Sequence, residues 1–431
     1  MSIAWLAWGE EAFARARETG RPVLLSLTAT WCGACHRMDE ETWEDPGVAA
    51  VAERLAVPVR VDADARPDLY GRYHLGGLPS TVLLDADGGF VRGGTFLSST
   101  QLLGLLDAAQ ADLRAGRRPA KREPVAAAPA GPLVREVVAR LRRRADREHG
   151  GFGEGEKQPE PDAVTLLLRE ARRTGDAELA AIAREALDAV AAHLVDSSGG
   201  GFFRYATAPD WSGPHTEKVT ADQAALIALF LEAAAAQDAP EYRRVALDAL
   251  GHARARLVDA EGRAYASVPA APRDEVDRRR FADAGAALFR AALSAEACTG
   301  EEPGVIFEAP TRASDGAVPH WLDAPPGAAT PRGLLRDQAL GIAAAVDAYR
   351  LRGSAALLDW ATRAAEWSLA HLWDERLGAF RDAPATPPGE PAPFTPLIGN
   401  GEMAQALLAL ADHTGDERWR GPATRAMATL G

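Results

Sequence analysis

Two hydrophobic rhythms divide the chain. From Trp5 to about Arg114, short continuous apolar runs alternate with helical stretches. The segment Pro22–Thr28 (PVLLSLT) has the length and composition of a strand buried on both faces. Val57–Asp62 and Ser80–Asp85 repeat that signal, and Asp85-Ala86-Asp87-Gly88-Gly89 turns the chain into Phe90–Thr95, predicting a hairpin. Helices are predicted over 10–19 (stopped by Gly20), 32–42, 46–55 and 98–113, the last with Ser99 or Thr100 as N-cap. Strands joined by helices and then a hairpin imply a mixed α/β sheet covered on both faces.

The rhythm stops between Gly116 and Pro132, where RRPAKREPVAAAPAGP carries prolines, alanines and charges without apolar periodicity. That composition is a linker. The expected organisation is a first domain at 1–116, a linker at 117–131 and a second domain at 132–431. Beyond the linker almost every segment has the 3.6-residue period. Ten helices are predicted, over 133–146, 161–174, 177–195, 219–237, 241–257, 280–299, 334–351, 355–373, 400–414 and 417–429. Several pair across short turns such as Thr174-Gly175-Asp176, while longer Gly/Pro/aromatic loops (GGFG at 150–153, GGGFFRY at 199–205) separate the pairs. Repeated helical hairpins with elaborate loops on one face predict an all-α (α/α) toroid with a pocket at one rim.

Composition agrees with a globular protein of two or three domains: 431 residues, 47% hydrophobic and 25% charged. With 48 Lys and Arg against 61 Asp and Glu, the net charge of −13 argues against nucleic acid or an anionic membrane as partner. The longest apolar run, Ala224 to Ala236, is interrupted by Glu232 and is too short to span a bilayer. A basic start followed by an apolar stretch and a small-residue cleavage site is not present at the N-terminus, so a cytoplasmic location is expected.

Three cysteines cannot staple a chain of this length. Cys32 and Cys35 form a Cys-x-x-Cys pair, a spacing that serves redox chemistry, metal binding or haem attachment. Zinc would call for a second pair or nearby histidines, and the nine histidines are scattered, so no metal or other cofactor is expected. Cys32-Gly33-Ala34-Cys35-His36 also satisfies the c-type haem pattern, but haem attachment takes place outside the cytoplasm. The apolar strand feeding the motif, with Gly77-Leu78-Pro79 ahead of a later strand, favours a redox fold. A first cysteine at the start of a helix is stabilised as thiolate by backbone N–H groups, and the second, one turn on, can resolve a mixed disulfide.

The first 115 residues resemble thioredoxin and, more narrowly, the thioredoxin-like domain of the DUF255 (spermatogenesis-associated protein 20) family. The resemblance runs through CGACHRMDEETWED and Val61-Asp62-Ala63-Asp64-Ala65-Arg66-Pro67-Asp68. It continues in GGFG at 150–153, in Trp211-Ser212-Gly213-Pro214-His215-Thr216-Glu217-Lys218 and in Trp373-Asp374-Glu375. It implies a thioredoxin-like domain fused to a six-hairpin glycosidase-like toroid. By the same resemblance Pro79 follows a cis peptide bond and shapes the groove for a protein thiol or disulfide partner. Thioredoxins carry a buried aspartate six residues before the first cysteine; here Ser26 stands there.

In the helical half, Glu217, Asp222, Asp283, Asp337 and Glu402 fall at or near predicted helix starts, where sugar enzymes use carboxyl pairs as acid and base. Acids are also common there simply because they complement the helix dipole. His215-Thr216-Glu217-Lys218 joins an imidazole to opposite charges, and Trp211 is an aromatic candidate for stacking on a sugar face. The expected function is thiol–disulfide exchange; the alternative is a carbohydrate-active enzyme, a glycoside hydrolase or sugar epimerase binding a carbohydrate ligand in the toroid, with the thioredoxin-like domain as regulator or scaffold. Asn400 reads as an N-cap, and Cys298 as a buried, inert thiol.

Overall fold

The computed structural model describes residues 3–117, 130–270, 275–302, 304–308, 315–326, 328, 330–384, 391 and 393–430. It divides into two compact units, Met1–Ala126 with Arg381–Pro396, and Ala127–Phe380 with Leu397–Gly431. Most of the expected linker, residues 118–129, lies outside the described residues. Residues 381–396, expected within the second domain, group with the first. Pro391 sits so close to Gly88 that a Cβ at that glycine would collide with it.

In the first unit four strands, β1 (Val23–Thr28), β2 (Val57–Asp62), β3 (Ser80–Leu84) and β4 (Phe90–Gly94), form one sheet in the order β2-β1-β3-β4. β1 runs parallel to β2 and antiparallel to β3, and β3–β4 is the predicted hairpin. The pleat sends Leu24 and Leu83 into one core and Val23, Leu25, Leu27, Val82 and Leu84 into the other, so both faces are covered. Helices α1 (Glu10–Thr19), α2 (Gly33–Met38), α3 (Pro46–Leu55), α4 (Pro67–Tyr73) and α5 (Ser99–Arg114) supply that cover. The helix expected over 32–42 is not continuous. After α2 comes one π-turn, closed by Glu44 N–H to the Asp39 carbonyl at 3.0 Å, and Met38 and Trp43 both enter one core. α5 is capped by Ser98 rather than Ser99 or Thr100. Ser98 accepts from Gln101 N–H while the Gln101 side chain accepts from Ser98 N–H, a reciprocal capping box.

The second unit is helical: α6 (Ala130–Arg144), α7 (Pro161–Thr174), α8 (Ala177–His193), α9 (Thr220–Gln237), α10 (Pro240–Arg256), α11 (Ala282–Thr299), α12 (Leu335–Arg352), α13 (Ala355–His371), α14 (Leu397–Thr414) and α15 (Arg420–Leu430). α7, α9, α11, α12 and α14 pack each on the next as an inner ring, backed by α8, α10, α13 and α15. Sequence explains the layers. α9 (TADQAALIALFLEAAAAQ) is apolar around most of its circumference and suits a fully surrounded position. Burying Leu226, Ile227, Leu229 and Phe230 stabilises the ring by about 1.5–3 kcal/mol each.

The loops between helices share one construction. An aspartate closes a tight turn by accepting from backbone N–H groups two and three or four residues on, as Asp146, Asp196, Asp259 and Asp374 do. In the first two, a buried lysine completes the turn: Lys157 Nζ lies 2.6 Å from Asp146 Oδ2, and Lys218 Nζ 2.6 Å from Asp196 Oδ2. A carboxamide in the first turn of the following inner helix then clamps the loop. Gln223 brackets the N–H and C=O of Phe202, Asn400 those of Phe380, and Gln338 bonds Val318 N–H and the Gly316 carbonyl. Asn400 is therefore a clamp inside α14, not its N-cap. Asn400→Ala leaves two buried backbone groups of Phe380 without partners and should destabilise the helical unit by about 2–4 kcal/mol. A lowered denaturant midpoint for that unit checks it.

Candidate functional site

In the first unit Cys32 caps α2 and is joined to Cys35 by a disulfide. Cys35 N–H donates to Cys32 Sγ at 3.1 Å, so a backbone donor already faces the first sulfur. Both cysteines are nearly buried. Trp31 beside them donates its indole N–H to Asp64 at 2.9 Å, which pins the loop leaving β1. His36 Nε2 lies 2.8 Å from the Thr30 carbonyl and donates to it, which makes this ring part of the loop's scaffold. The Leu78–Pro79 peptide is cis, and the β1–β3 register, Leu27 opposite Ser80, puts Pro79 next to the end of β1 from which the cysteine loop departs. Ser26 is buried in mid-strand between Arg60 and Thr81.

The second unit gathers charged groups at the N-terminal ends of its inner ring. Asp222 (α9), Asp283 (α11), Asp337 and Arg336 (α12) and Glu402 (α14) act on one another. Arg336 Nε is 3.9 Å from Asp283 Oδ2 and 3.8 Å from Glu402 Oε1. The charge of Asp162, on α7, reaches both Arg336 and Glu402, and that of Arg336 reaches Asp222. Arg204 holds Asp222 through Nε at 3.1 Å, and its Nη1 stands 3.9 Å from Glu217, which also has His215 Nδ1 at 3.5 Å. His320 Nδ1 lies 2.9 Å from Asp337 and 4.0 Å from Asp283, its ring stacked on Phe281.

Burial pushes the carboxyl groups of Asp222, Asp337 and Glu402 above the usual carboxylate range, against the pull of Arg204, His320 and Arg336 respectively. Burial opposes the charge of Arg336 as well, but Glu402, Asp283 and Asp337 outweigh it and raise its pKa. Yet the side chains of Arg336, Asp222 and Glu402 keep 49%, 40% and 25% of their surface accessible. Groups both accessible and surrounded by protein line a concave cleft.

Of the residues expected in this site, Asp222, Asp337 and Glu402 line one charge network with Asp283, and Glu217 with His215 joins it through Arg204. Trp211 does not. It is 1% exposed, donates its indole N–H to the His149 carbonyl and packs on Gly151, so it has no free face for a sugar. Lys218 is spent on the Asp196 turn. Cys298, expected to be buried, is exposed. Arg204, Arg336, His320 and Asp162 were not foreseen. The signal lay in an internal repeat, Pro214-His215…Asp222-Gln223 and Pro319-His320…Asp337-Gln338, in which the aspartate enters the cleft and the glutamine clamps a loop. Asp283, His320 and Asp337 place one ligand atom each within 4.8 Å of one another. That spacing would admit a cation, though Arg336 beside it opposes one.

Residues 1–111 match the family model described as a protein of unknown function, DUF255, Thioredox_DsbH. Spermatogenesis-associated protein 20 of Homo sapiens is 28% identical over 274 residues, covering 54% of this chain and 34% of the human protein. The chain thus spans about a third of the length of the curated relatives it matches first. The thiol:disulfide interchange protein DsbD of Ralstonia nicotianae is 40% identical over 101 residues, covering 21% of this chain and 17% of that protein. Among solved structures a sugar epimerase from a ruminal bacterium superimposes with a TM-score of 0.57 at 14% identity, covering 69% of this chain and 85% of that one. At that identity the likeness shows the fold. Residues 1–111 are thus thioredoxin-like and similar to the DUF255 family model, and the second unit is a helical toroid with the fold of that sugar epimerase.

Proposed function

We propose that residues 1–111 carry out thiol–disulfide exchange through Cys32 and Cys35. The observation supporting this most directly is the disulfide between them in the first turn of α2, with a backbone N–H on Cys32 Sγ. In the reduced form the Cys32 thiolate attacks one sulfur of a partner disulfide. That S–S bond breaks, a mixed disulfide forms, and the other partner sulfur leaves as a thiolate and is protonated. Cys35 then attacks Cys32 Sγ and releases the second partner thiol. The partner gains two electrons and two protons; the cysteine pair ends as the disulfide, which a dithiol donor returns to the reduced state. Pro79 flanks the groove in which a partner backbone would lie. With Ser26 in place of an acid, no carboxylate at that position takes the Cys35 proton. The test is reduction of insulin disulfides by the prereduced protein, followed by thiol alkylation. Oxidation of Cys32 and Cys35 in step with insulin cleavage is expected; a rate equal to uncatalysed background would refute the reading.

A second reading is favoured by the carboxylates that neighbouring inner helices bring to one cleft. We infer sugar chemistry there, with Glu402, its carboxyl raised by burial, as proton donor and Asp222 or Asp337 as its counterpart across the cleft. Incubation with hexoses and disaccharides, read by NMR for epimers and new reducing ends, tests it. Glu402→Gln should abolish any turnover found.

A further inference from the structure

Arg336 and Glu402 stand out in the cleft because neither is satisfied. Elsewhere in this unit arginine–carboxylate pairs close to bonding distance, as Arg169–Glu232 at 2.7 Å and Arg290–Asp347 at 2.8 Å do. Arg336 instead hangs at 3.8 and 3.9 Å between Glu402 and Asp283, beyond hydrogen-bond length. Glu402 Oε2 is a buried oxygen without a hydrogen-bond partner. A guanidinium fork and a carboxyl group, less than 4 Å apart and not hydrogen-bonded to each other, offer donors and an acceptor to the same small ligand. A ligand that bonds to both completes the pairing that Arg336 and Glu402 do not make with each other.

The charges around this pair select the ligand. Six carboxyl groups (Asp162, Asp222, Asp283, Asp337, Glu217, Glu402) face Arg204, Arg336, His215 and His320, each set against a carboxylate, and Arg290, whose charge also reaches Glu402, is paired with Asp347. Among the described residues, an anion entering here meets no cation that is not already shared with a carboxylate. Hydroxyl groups carry no such penalty, since each can accept from Arg336 and donate to Glu402.

We propose that the cleft takes polyhydroxylated ligands without negative charge, neutral or amine-bearing sugars, and rejects uronates and sugar phosphates, with Arg336 and Glu402 as the pair that holds adjacent hydroxyls. This rests on the sugar reading of the cleft and adds its charge selectivity. The experiment is titration of the full chain with D-mannose, D-glucosamine, D-glucuronate and mannose 6-phosphate, followed by saturation-transfer NMR. The expected result is binding of mannose and glucosamine, with glucuronate and mannose 6-phosphate at least about tenfold weaker. Arg336→Gln and Glu402→Gln should each weaken mannose about tenfold or more, with unchanged circular dichroism, one lost charged hydrogen bond being worth about that factor. Equal or tighter binding of the two anions overturns the proposal and leaves a sugar cleft standing. Mannose binding untouched by either variant overturns the role of the pair. No binding of any of the four sinks the sugar reading and the proposal with it.

Discussion

Asp146→Asn should lower the stability of the helical unit by about 3–5 kcal/mol, the loss expected when one partner of a buried ion pair is removed. Lys157 is wholly buried, and its ammonium has two partners, Asp146 Oδ2 at 2.6 Å and the Gly153 carbonyl at 2.7 Å. Asparagine can still accept the turn N–H groups of Glu148 and His149, so what is lost is the charge opposite Lys157. In calorimetry of the full chain the helical transition should fall by roughly 6–20 °C, on a scale of about 2–4 °C per kcal/mol. The double variant Asp146→Asn with Lys157→Met should recover most of the loss, because it removes the stranded charge as well. A double variant no better than the single would show that the stranded Lys157 charge is not the cause of the loss.

The same pair fixes a pH dependence. Asp146 is held down to about 2: burial works to raise it, but the Lys157 ammonium and the N–H groups of His149 and Glu148 outweigh burial. A carboxyl group depressed in the folded state gives stability that is complete above its unfolded pKa near 4 and is lost as pH falls through about 2. Asp196, beside the Lys218 ammonium, is depressed for the same reason and adds in the same direction. The helical unit should therefore weaken below pH 4, and Asp146→Asn should flatten that part of the curve.

Cys35→Ser should convert the protein from a turnover catalyst into a trap. With the resolving sulfur gone, the complex between Cys32 and a partner has no internal route to release. A covalent adduct, sensitive to reductant, should accumulate to near stoichiometry with a small disulfide probe or with insulin. In a Cys298→Ser background, Cys32→Ser should form no adduct and reduce insulin at background rate, since a serine hydroxyl supplies no thiolate-like nucleophile near neutral pH. Adducts at Cys35 in the Cys32→Ser protein would reverse the roles assigned to the two sulfurs.

The backbone architecture was legible wherever a periodic pattern ran long enough. β1 and the ten long helices could be placed within a few residues because burial on both faces or around one stripe leaves a continuous mark in the chain. α4 escaped because it is seven residues long and holds Gly71 and two tyrosines, a composition that reads equally as a turn. The π-turn at Asp39–Trp43 depends on which core Trp43 must reach, which is tertiary information. In the cleft, the acids at helix starts could be named one by one, but not the groups facing them. Arg336 precedes Asp337 as one of many arginines, and His320 lies in a loop without periodicity. Trp211 misled for a related reason: a tryptophan in a Pro/Gly loop reads the same whether its ring faces solvent or, as here, the space beside Gly151.

The account stands or falls on the state of one sulfur. In the reduced protein carrying Cys298→Ser, so that the exposed third thiol does not interfere, the pH profile of alkylation gives the pKa of Cys32 directly. Stabilisation by the Cys35 N–H and the start of α2 predicts a value below about 7.5, against about 8.5 for a free cysteine. A Cys32 that titrates at 8.5 or above would contradict thiol–disulfide exchange as the activity of residues 1–111.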